Sequence, residues 1–269
     1  MKSYKLSILS VAVGLLGGLS APAQFNYNNS DLLLGFRTPG GSLDLLVDIG
    51  SVSLYAGATS PITISGNYYT SQQLTDAGLT LNNLYFSVFG DVSPGYPTNN
   101  GPYNTLWVTR PETPPGTLSA PWAAQSSAQL ATSRSRIESI AAGGVFISAT
   151  SAPGADNTSS TIITPDIYSQ SGDISYNVGI GSGGNFQGNF GSNNDIENNT
   201  PGSFNSGTVI SDLYEMMPNQ DGARLGSFVL NSSGVLTFNP TSAPEPATWA
   251  MLGLGMLGLA GWRRAVRKS

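Results

Sequence analysis

The sequence predicts a mainly β protein, an antiparallel sandwich or barrel-like domain with one amphipathic helix, set between an N-terminal signal peptide and a single apolar C-terminal helix. Three observations carry this. From Asp31 onward, short apolar runs alternate with Gly, Pro and Asn clusters, the spacing of strands joined by turns. Only 10% of residues are charged, against about 25% in an average soluble domain, and Asn, Ser, Thr and Gly fill the polar positions instead. Both ends of the chain are apolar and flanked by basic residues.

At the N-terminus, Lys2 and Lys5 precede the apolar run Leu6 to Leu19, followed by Ser20, Ala21, Pro22 and Ala23. A positive start, an apolar stretch and an A-x-A ending describe a secretory signal peptide. Cleavage after Ala23 leaves Gln24 as the mature start, and the run is too short to span a bilayer comfortably. The chain thus divides into residues 1–23, a body at 24–242, and a tail at 243–269.

Six of the eleven basic residues lie in the two end segments, so Gln24 to Pro246 holds five basic residues against sixteen acids, a net charge of −11. A body this acidic repels phosphate backbones, which excludes nucleic acid as a partner and favours cations or neutral polymers. With 39% hydrophobic residues, including 10 Phe, 11 Tyr and 4 Trp, the body can build a core and is not a disordered chain.

The elements follow in order. DLLLGF pairs with LDLLVDIG across the turn Thr38 to Ser42, where Pro39, Gly40 and Gly41 break the run. In LDLLVDIG, Leu43, Leu45, Val47 and Ile49 share one face, while Asp44 and Asp48 fall on the other as solvated positions. Ser71 to Ala77 reads as a short helical turn, and Leu79 to Phe89 as an interior strand. Thr105 to Arg110 is a further strand.

Trp122 to Ala142 carries helix signals, with Ser119 and Pro121 before it, Gly143 and Gly144 as its stop, and Leu130, Ile137 and Ala141 on one side. It is expected on an end or edge of the sheet. ISYNVGI alternates as a strand, Asp212 to Met216 reads as a helical turn, and GSFVL and GVLTF form a hairpin around Asn231 to Ser233. Two loops complete the body, Asp91 to Asn104 and Gly181 to Ser206, the latter with room for a strand at Asn185 to Phe190. Seven to ten strands with polar turns imply an antiparallel architecture.

The chain has no cysteine and no histidine, and every lysine lies near an end. Disulfides, thiol nucleophiles and Cys/His zinc sites are excluded, a Ser-His-Asp triad lacks its base, and a Schiff base lacks its amine. Carboxylate, hydroxyl and arginine chemistry is what the body holds. Asp44 and Asp48 sit about 13 Å apart along a strand, too far for a glycosidase pair. Asn193, Asp195, Glu197 and Asn199 are weak candidate calcium ligands at alternate positions, without the glycine and terminal glutamate of an EF-hand; no other cofactor is expected. Tyr68, Tyr69, Tyr96, Tyr103, Trp107 and Trp122 can stack on sugars but serve first as core.

The tail reads Pro244, Glu245, Pro246, then sixteen uncharged residues at 247–262, then Arg263, Arg264, Arg267 and Lys268. The two prolines forbid regular structure at Glu245. The apolar run would span about 24 Å as a helix, slightly less than a hydrocarbon core of about 30 Å. Trp249 and Trp262 sit near its two ends, where indoles favour the interface, and the basic cluster places Ser269 in the cytoplasm. This arrangement resembles the PEP-CTERM sorting signal of bacterial exported proteins, with Ala243 where that family often has Val. The resemblance implies signal peptidase and an exosortase, a multi-pass membrane protease, as processing partners, a transient anchor in the cytoplasmic membrane, and removal of the tail near the motif. It covers about 27 residues and assigns the body no activity. More weakly, DLLLGFR and DLYEM with LGSFVLNSSGVLTF are similar to segments of other proteins bearing this tail.

The expectation from sequence is a non-enzymatic exported protein displayed at the cell surface or released into an extracellular polysaccharide matrix. A carbohydrate-binding or adhesive module is the first alternative, and a carboxylate-dependent secreted hydrolase the second.

Overall fold

Period-two apolar patterning on both flanks of a Gly/Pro turn makes β1 (Asp31–Arg37) and β2 (Leu43–Ser51) an antiparallel hairpin, with Phe36 opposite Leu45 and Arg37 opposite Asp44. The computed structural model describes residues 25–38, 40–93, 100–149, 161–165, 175–181, 190, 196–199 and 207–241. After β2 come α1 (Val52–Ala56), β3 (Ile62–Thr63), α2 (Ser71–Asp76), β4 (Tyr85–Asp91), β5 (Leu106–Pro111), α3 (Ser127–Ala149), β6 (Thr161–Pro165), a π-helical turn (Asn177–Gly181), β7 (Asn198–Asn199), β8 (Thr208–Met216), β9 (Ala223–Asn231) and β10 (Leu236–Pro240).

All ten strands join one antiparallel sheet of order β3-β10-β9-β8-β5-β4-β1-β2-β6, with β7 pairing β4 beside that path. The mainly antiparallel expectation holds. Among the described residues the sheet is single and open, a half-barrel bounded by β3 and β6, and neither a two-sheet sandwich nor a closed barrel.

Each face of this sheet packs its own core. On the first, Leu34, Phe36, Val47, Phe86, Leu213 and Phe228 bury with Tyr55 of α1 and Leu74 of α2. On the second, Leu33, Leu46, Phe89 and Val108 bury against Leu130, Ile137, Ile140 and Ala141 of α3. The helix therefore lies on a face of the sheet, not on its edge. This corrects the reading of Asp44 and Asp48 as solvated. They point to the α3 face, and because that face is covered too, both are buried.

Four further boundaries depart from the sequence pattern. Helix α3 begins five residues later than expected and runs straight through Gly143 and Gly144. A Cβ at Gly144 would come within 2.9 Å of Leu46 Cδ2 and 3.0 Å of Phe25 Cε1, so the glycine serves close packing rather than termination. Residues 79–84 form turns and irregular backbone before β4, and only 85–91 are strand. The segment Ser175–Gly181 coils helically, with Gly179 N donating to Ser175 O at 2.8 Å. Ser175, Tyr176, Asn177, Val178 and Ile180 all bury on it, a result that a strand with one wet face could not give. Asp212 to Met216 belongs to β8, paired on both sides by β5 and β9.

The short helix expected at Ser71 to Ala77 and the strand expected at Thr105 to Arg110 are present as α2 and β5, while the strand considered at Asn185 to Phe190 falls, except for Phe190, outside the described residues. Helix α2 is capped by a Thr70–Gln73 capping box, and the β9–β10 hairpin sets Phe228 opposite Phe238 and Leu230 opposite Leu236. Among the aromatics, Trp107, Tyr69 and Trp122 are buried, Tyr103 is exposed, and Tyr96 lies outside the described residues.

Candidate functional site

Because the α3 face is covered, the polar residues that strand alternation sends there cannot reach water and must satisfy one another. Strand β1 directs Asp31, Leu33, Gly35 and Arg37 to this face and gathers a polar centre at each end.

At the Arg37 end the guanidinium clasps Glu197, with Nε 2.9 Å and 3.1 Å from its two carboxylate oxygens and Nη2 2.6 Å from Oε2. Arg37 Nη1 donates to Asn177 Oδ1 at 3.1 Å, and the guanidinium stacks on the Tyr85 ring. Tyr176 OH donates to Glu197 Oε1 at 2.7 Å and lies 2.9 Å from Ser87 Oγ. Asn177 N donates to Asp44 Oδ2 at 2.6 Å, directly across from Arg37 in the β1–β2 register. Gly35 makes this possible, because a Cβ there would fall 2.4 Å from the Tyr176 ring. Burial alone would lower the Arg37 pKa, yet the bond and charge of Glu197 hold it above its ordinary value. Burial raises the Tyr176 pKa, with the Glu197 charge adding to it. This centre ties the segments 175–181 and 196–199 to the sheet.

The Asp31 end is an acid centre. Tyr27 OH donates to Asp91 Oδ1 at 2.7 Å. Ser93 Oγ lies 2.7 Å from Asp91 Oδ2 and 2.6 Å from Glu138 Oε1 of α3, whose other neighbour is Arg134 Nε at 3.5 Å. Asp48 accepts from Gly50 N at 2.7 Å, and Asp31 accepts from Asn28 N at 3.0 Å. Burial, reinforced by the Asp31 charge, pushes Asp48 up to about 7, the Gly50 bond opposing it. Burial likewise raises Asp91 to about 6 against the bonds from Tyr27 and Ser93. Among the described residues no three acidic side chains are arranged to hold a metal ion.

A third carboxylate, Asp212 of β8, accepts Arg224 Nε at 2.7 Å and Ser227 Oγ at 2.9 Å on one oxygen, and Ser119 N and Oγ at 2.8 Å on the other. Burial works to raise its pKa, but these bonds from Ser119, Arg224 and Ser227 leave it lowered. On the opposite side of the molecule, a cavity of about 260 Å³ between α2 and the β9–β10 turn is lined by Leu74, Leu79, Leu81, Leu84, Thr75 and Ser233. It is apolar with hydroxyls at its rim and has no charged lining group.

Of the residues singled out from sequence, Glu197 is placed in the Arg37 centre, with both carboxylate oxygens engaged by Arg37 and Tyr176. Asn199 pairs by its backbone with Tyr85. Asn193, Asp195, the cleavage residues Ala21, Ala23 and Gln24, and the whole tail from residue 242 lie outside the described residues. Among the described residues no helix is long and apolar enough to cross a membrane. Sequence reasoning missed the Arg37–Glu197 tie and the acid centre. The one signal for them was that Asp31, Arg37, Asp44 and Asp48 occupy alternate positions on neighbouring strands.

No curated protein and no solved structure matches the chain. Its C-terminal part does match a family, the PEP-CTERM protein-sorting motif, over residues 242–265, which takes in Pro244, Glu245, Pro246 and the apolar run beyond them. The chain therefore bears the PEP-CTERM protein-sorting motif, which implies an exported protein.

Proposed function

We propose that the protein is a non-enzymatic exported unit. Its tail holds it transiently in the cytoplasmic membrane until an exosortase-type protease cuts near Pro244–Pro246 and delivers the β body to the cell surface or to an extracellular polysaccharide matrix. The observation that carries this reading is the junction between body and tail. Strand β10 ends at Pro240, Thr241 N still donates to Leu225 O at 2.9 Å, and the sorting motif begins at residue 242. The folded sheet hands the chain directly to the signal, so a cut near the motif releases an intact body. The commitment of Arg37, Glu197, Asp212 and Arg224 to one another supports a scaffold rather than a reaction centre.

Intact mass of the native protein from fractionated cells tests this. Termini at Gln24 and near Pro246 are expected in the surface or matrix fraction, and a full-length chain in the cytosol overturns the reading. Retention of the mature body on immobilised polysaccharide would favour a carbohydrate-binding role instead.

A further inference from the structure

The chain leaves the body in a fixed direction. Strand β10 runs from Leu236, opposite Leu230, to Pro240, opposite Gly226, and Thr241 prolongs it, with N and Oγ1 donating to Leu225 O at 2.9 Å and 3.2 Å. The register carries this end of the sheet onward. Beyond Leu225 lie Arg224 opposite Tyr214 and Ala223 opposite Glu215, then Met216 opposite Leu106 and Leu106 opposite Asp91. The exit end therefore holds the β8–β9 turn at residues 217–222 together with the acid centre, whereas the β1–β2 and β9–β10 turns stand at the other end.

Chain length then limits how the body can hang. Six residues lead from Thr241 to Ala247, where the apolar run begins, a reach of about 20 to 22 Å at full extension. Pro244 and Pro246 stiffen that leash, because each fixes its own φ and keeps the residue before it extended. Bringing the β9–β10 turn to lipid would require the leash to reverse at Thr241 and lie back along β10, whose residues Leu236–Pro240 already span about 17 Å. Resting on the reading of the tail as a membrane anchor, we propose that the exit end, with the β8–β9 turn at its tip, is the surface that the anchored body presents to the bilayer headgroups.

The exit end suits that position. The β8–β9 turn is held stiffly on the segment before α3, with Asn219 N donating to Gln125 O at 2.7 Å, Gly222 N to Trp122 O at 2.9 Å, and Ala124 N to Asp221 Oδ1 at 2.8 Å. Asn219 and Gln220 at its tip are exposed and uncharged, and their amides can hydrogen-bond headgroup oxygens. The body as a whole carries −11, and anionic lipid repels exposed carboxylates within a Debye length of about 8 to 10 Å. At this end Asp31, Asp48 and Asp91 are buried, Glu215 is half-buried, and Asp221 is tied to the Ala124 amide. Most of the negative charge here is thus turned inward, where the leash brings the body closest to lipid.

The cysteine-free sequence allows one labelled thiol at a time. The full chain, carrying a fluorophore at Gln220→Cys, Ser42→Cys or Ser232→Cys, all exposed positions, is placed in phosphatidylcholine vesicles that contain a lipid with a nitroxide on its headgroup. Quenching is expected to be severalfold stronger at Gln220→Cys than at the other two positions. A flexible Gly/Ser linker of about twenty residues inserted after Thr241, which adds about 25 Å of mean reach, is expected to bring the three positions to similar quenching. Equal quenching of the three without the linker, stronger quenching at Ser42→Cys or Ser232→Cys, or a pattern that the linker leaves unchanged would each overturn the proposal. Flotation of the vesicles separates this from the anchor itself. A chain that fails to float with them overturns both readings, whereas one that floats without position-dependent quenching overturns the facing surface alone.

Discussion

Arg37 and Glu197 meet in a bidentate ion pair although 160 residues separate them in sequence, with both side chains almost wholly removed from water. A pair of this kind is weak evidence of net stability but costly to break, because the partner left behind is a buried, uncompensated charge.

Glu197→Ala is accordingly expected to destabilise the body by about 3 to 5 kcal/mol and lower Tm by on the order of 10 °C. The double variant Arg37→Met/Glu197→Leu, which removes both charges, is expected to recover most of that loss. Thermal denaturation of the three proteins checks this, and a Glu197→Ala Tm within about 2 °C of the parent would contradict it.

Gly35→Ala tests the contact beneath Tyr176. A methyl 2.4 Å from the ring atoms forces the ring off the sheet, and overpacking of this type costs about 1 to 3 kcal/mol. Tyr176 would lose its stacking on Phe89, whose ring is parallel to it within 4° at 5.8 Å, as well as its bond to Glu197. Denaturant titration should show a lower midpoint, and near-ultraviolet circular dichroism a weakened tyrosine signal.

Stability should vary with pH in opposite senses at the two ends of the range. Asp48, raised by burial to about 7, binds its proton more tightly folded than unfolded. Its contribution is complete below the ordinary carboxylate pKa and is lost as pH climbs through 7, by at most about 4 kcal/mol. Asp212, held low by its hydrogen bonds and Arg224, contributes above the ordinary pKa and loses that contribution in acid. Tm is expected to peak near pH 4 and to fall as pH rises to about 7, and Asp48→Asn to flatten that slope. A Tm that rises from pH 6 to pH 8 would refute the assignment.

Calcium at millimolar concentration is expected to leave Tm unchanged, because the Glu197 carboxylate is already occupied by Arg37 and Tyr176. A calcium-dependent rise in Tm that Glu197→Gln abolishes would show that the ion competes successfully for that carboxylate.

The parts of the fold legible in the sequence were those fixed by local pattern. The β1–β2 and β9–β10 hairpins announce themselves by alternation around turns rich in Gly, Pro, Asn and Ser, and α2 by the helical turn that Ser71 to Ala77 suggests. What escaped depends on contacts distant in sequence. Nothing local to LDLLVDIG tells that α3 will cover the side bearing Asp44 and Asp48, so they read as wet positions. ISYNVGI alternates like a strand, but Tyr176 is drawn down over Gly35 and Asn177 onto Asp44, and these two anchors coil the segment. Gly144 reads as a helix stop until Leu46 and Phe25 are seen to need its space. The acid centre was hidden because its members come from Tyr27 ahead of β1, from β1, β2 and β4, from Ser93 after β4, and from α3.

The order of strands bears on how the body is made. Strand β5 finds its neighbour β8 only about a hundred residues later, with Leu106 against Met216, and the sheet is not finished until β10, immediately ahead of the C-terminal tail. Pairing over such sequence distances is slow, since loop closure must precede any gain from contact. A chain threaded outward from its N-terminus therefore carries its early hairpin unfinished until nearly the whole body has emerged. If the tail anchors the protein as proposed, it holds the newly exported chain at the bilayer for the interval in which its middle strands find one another.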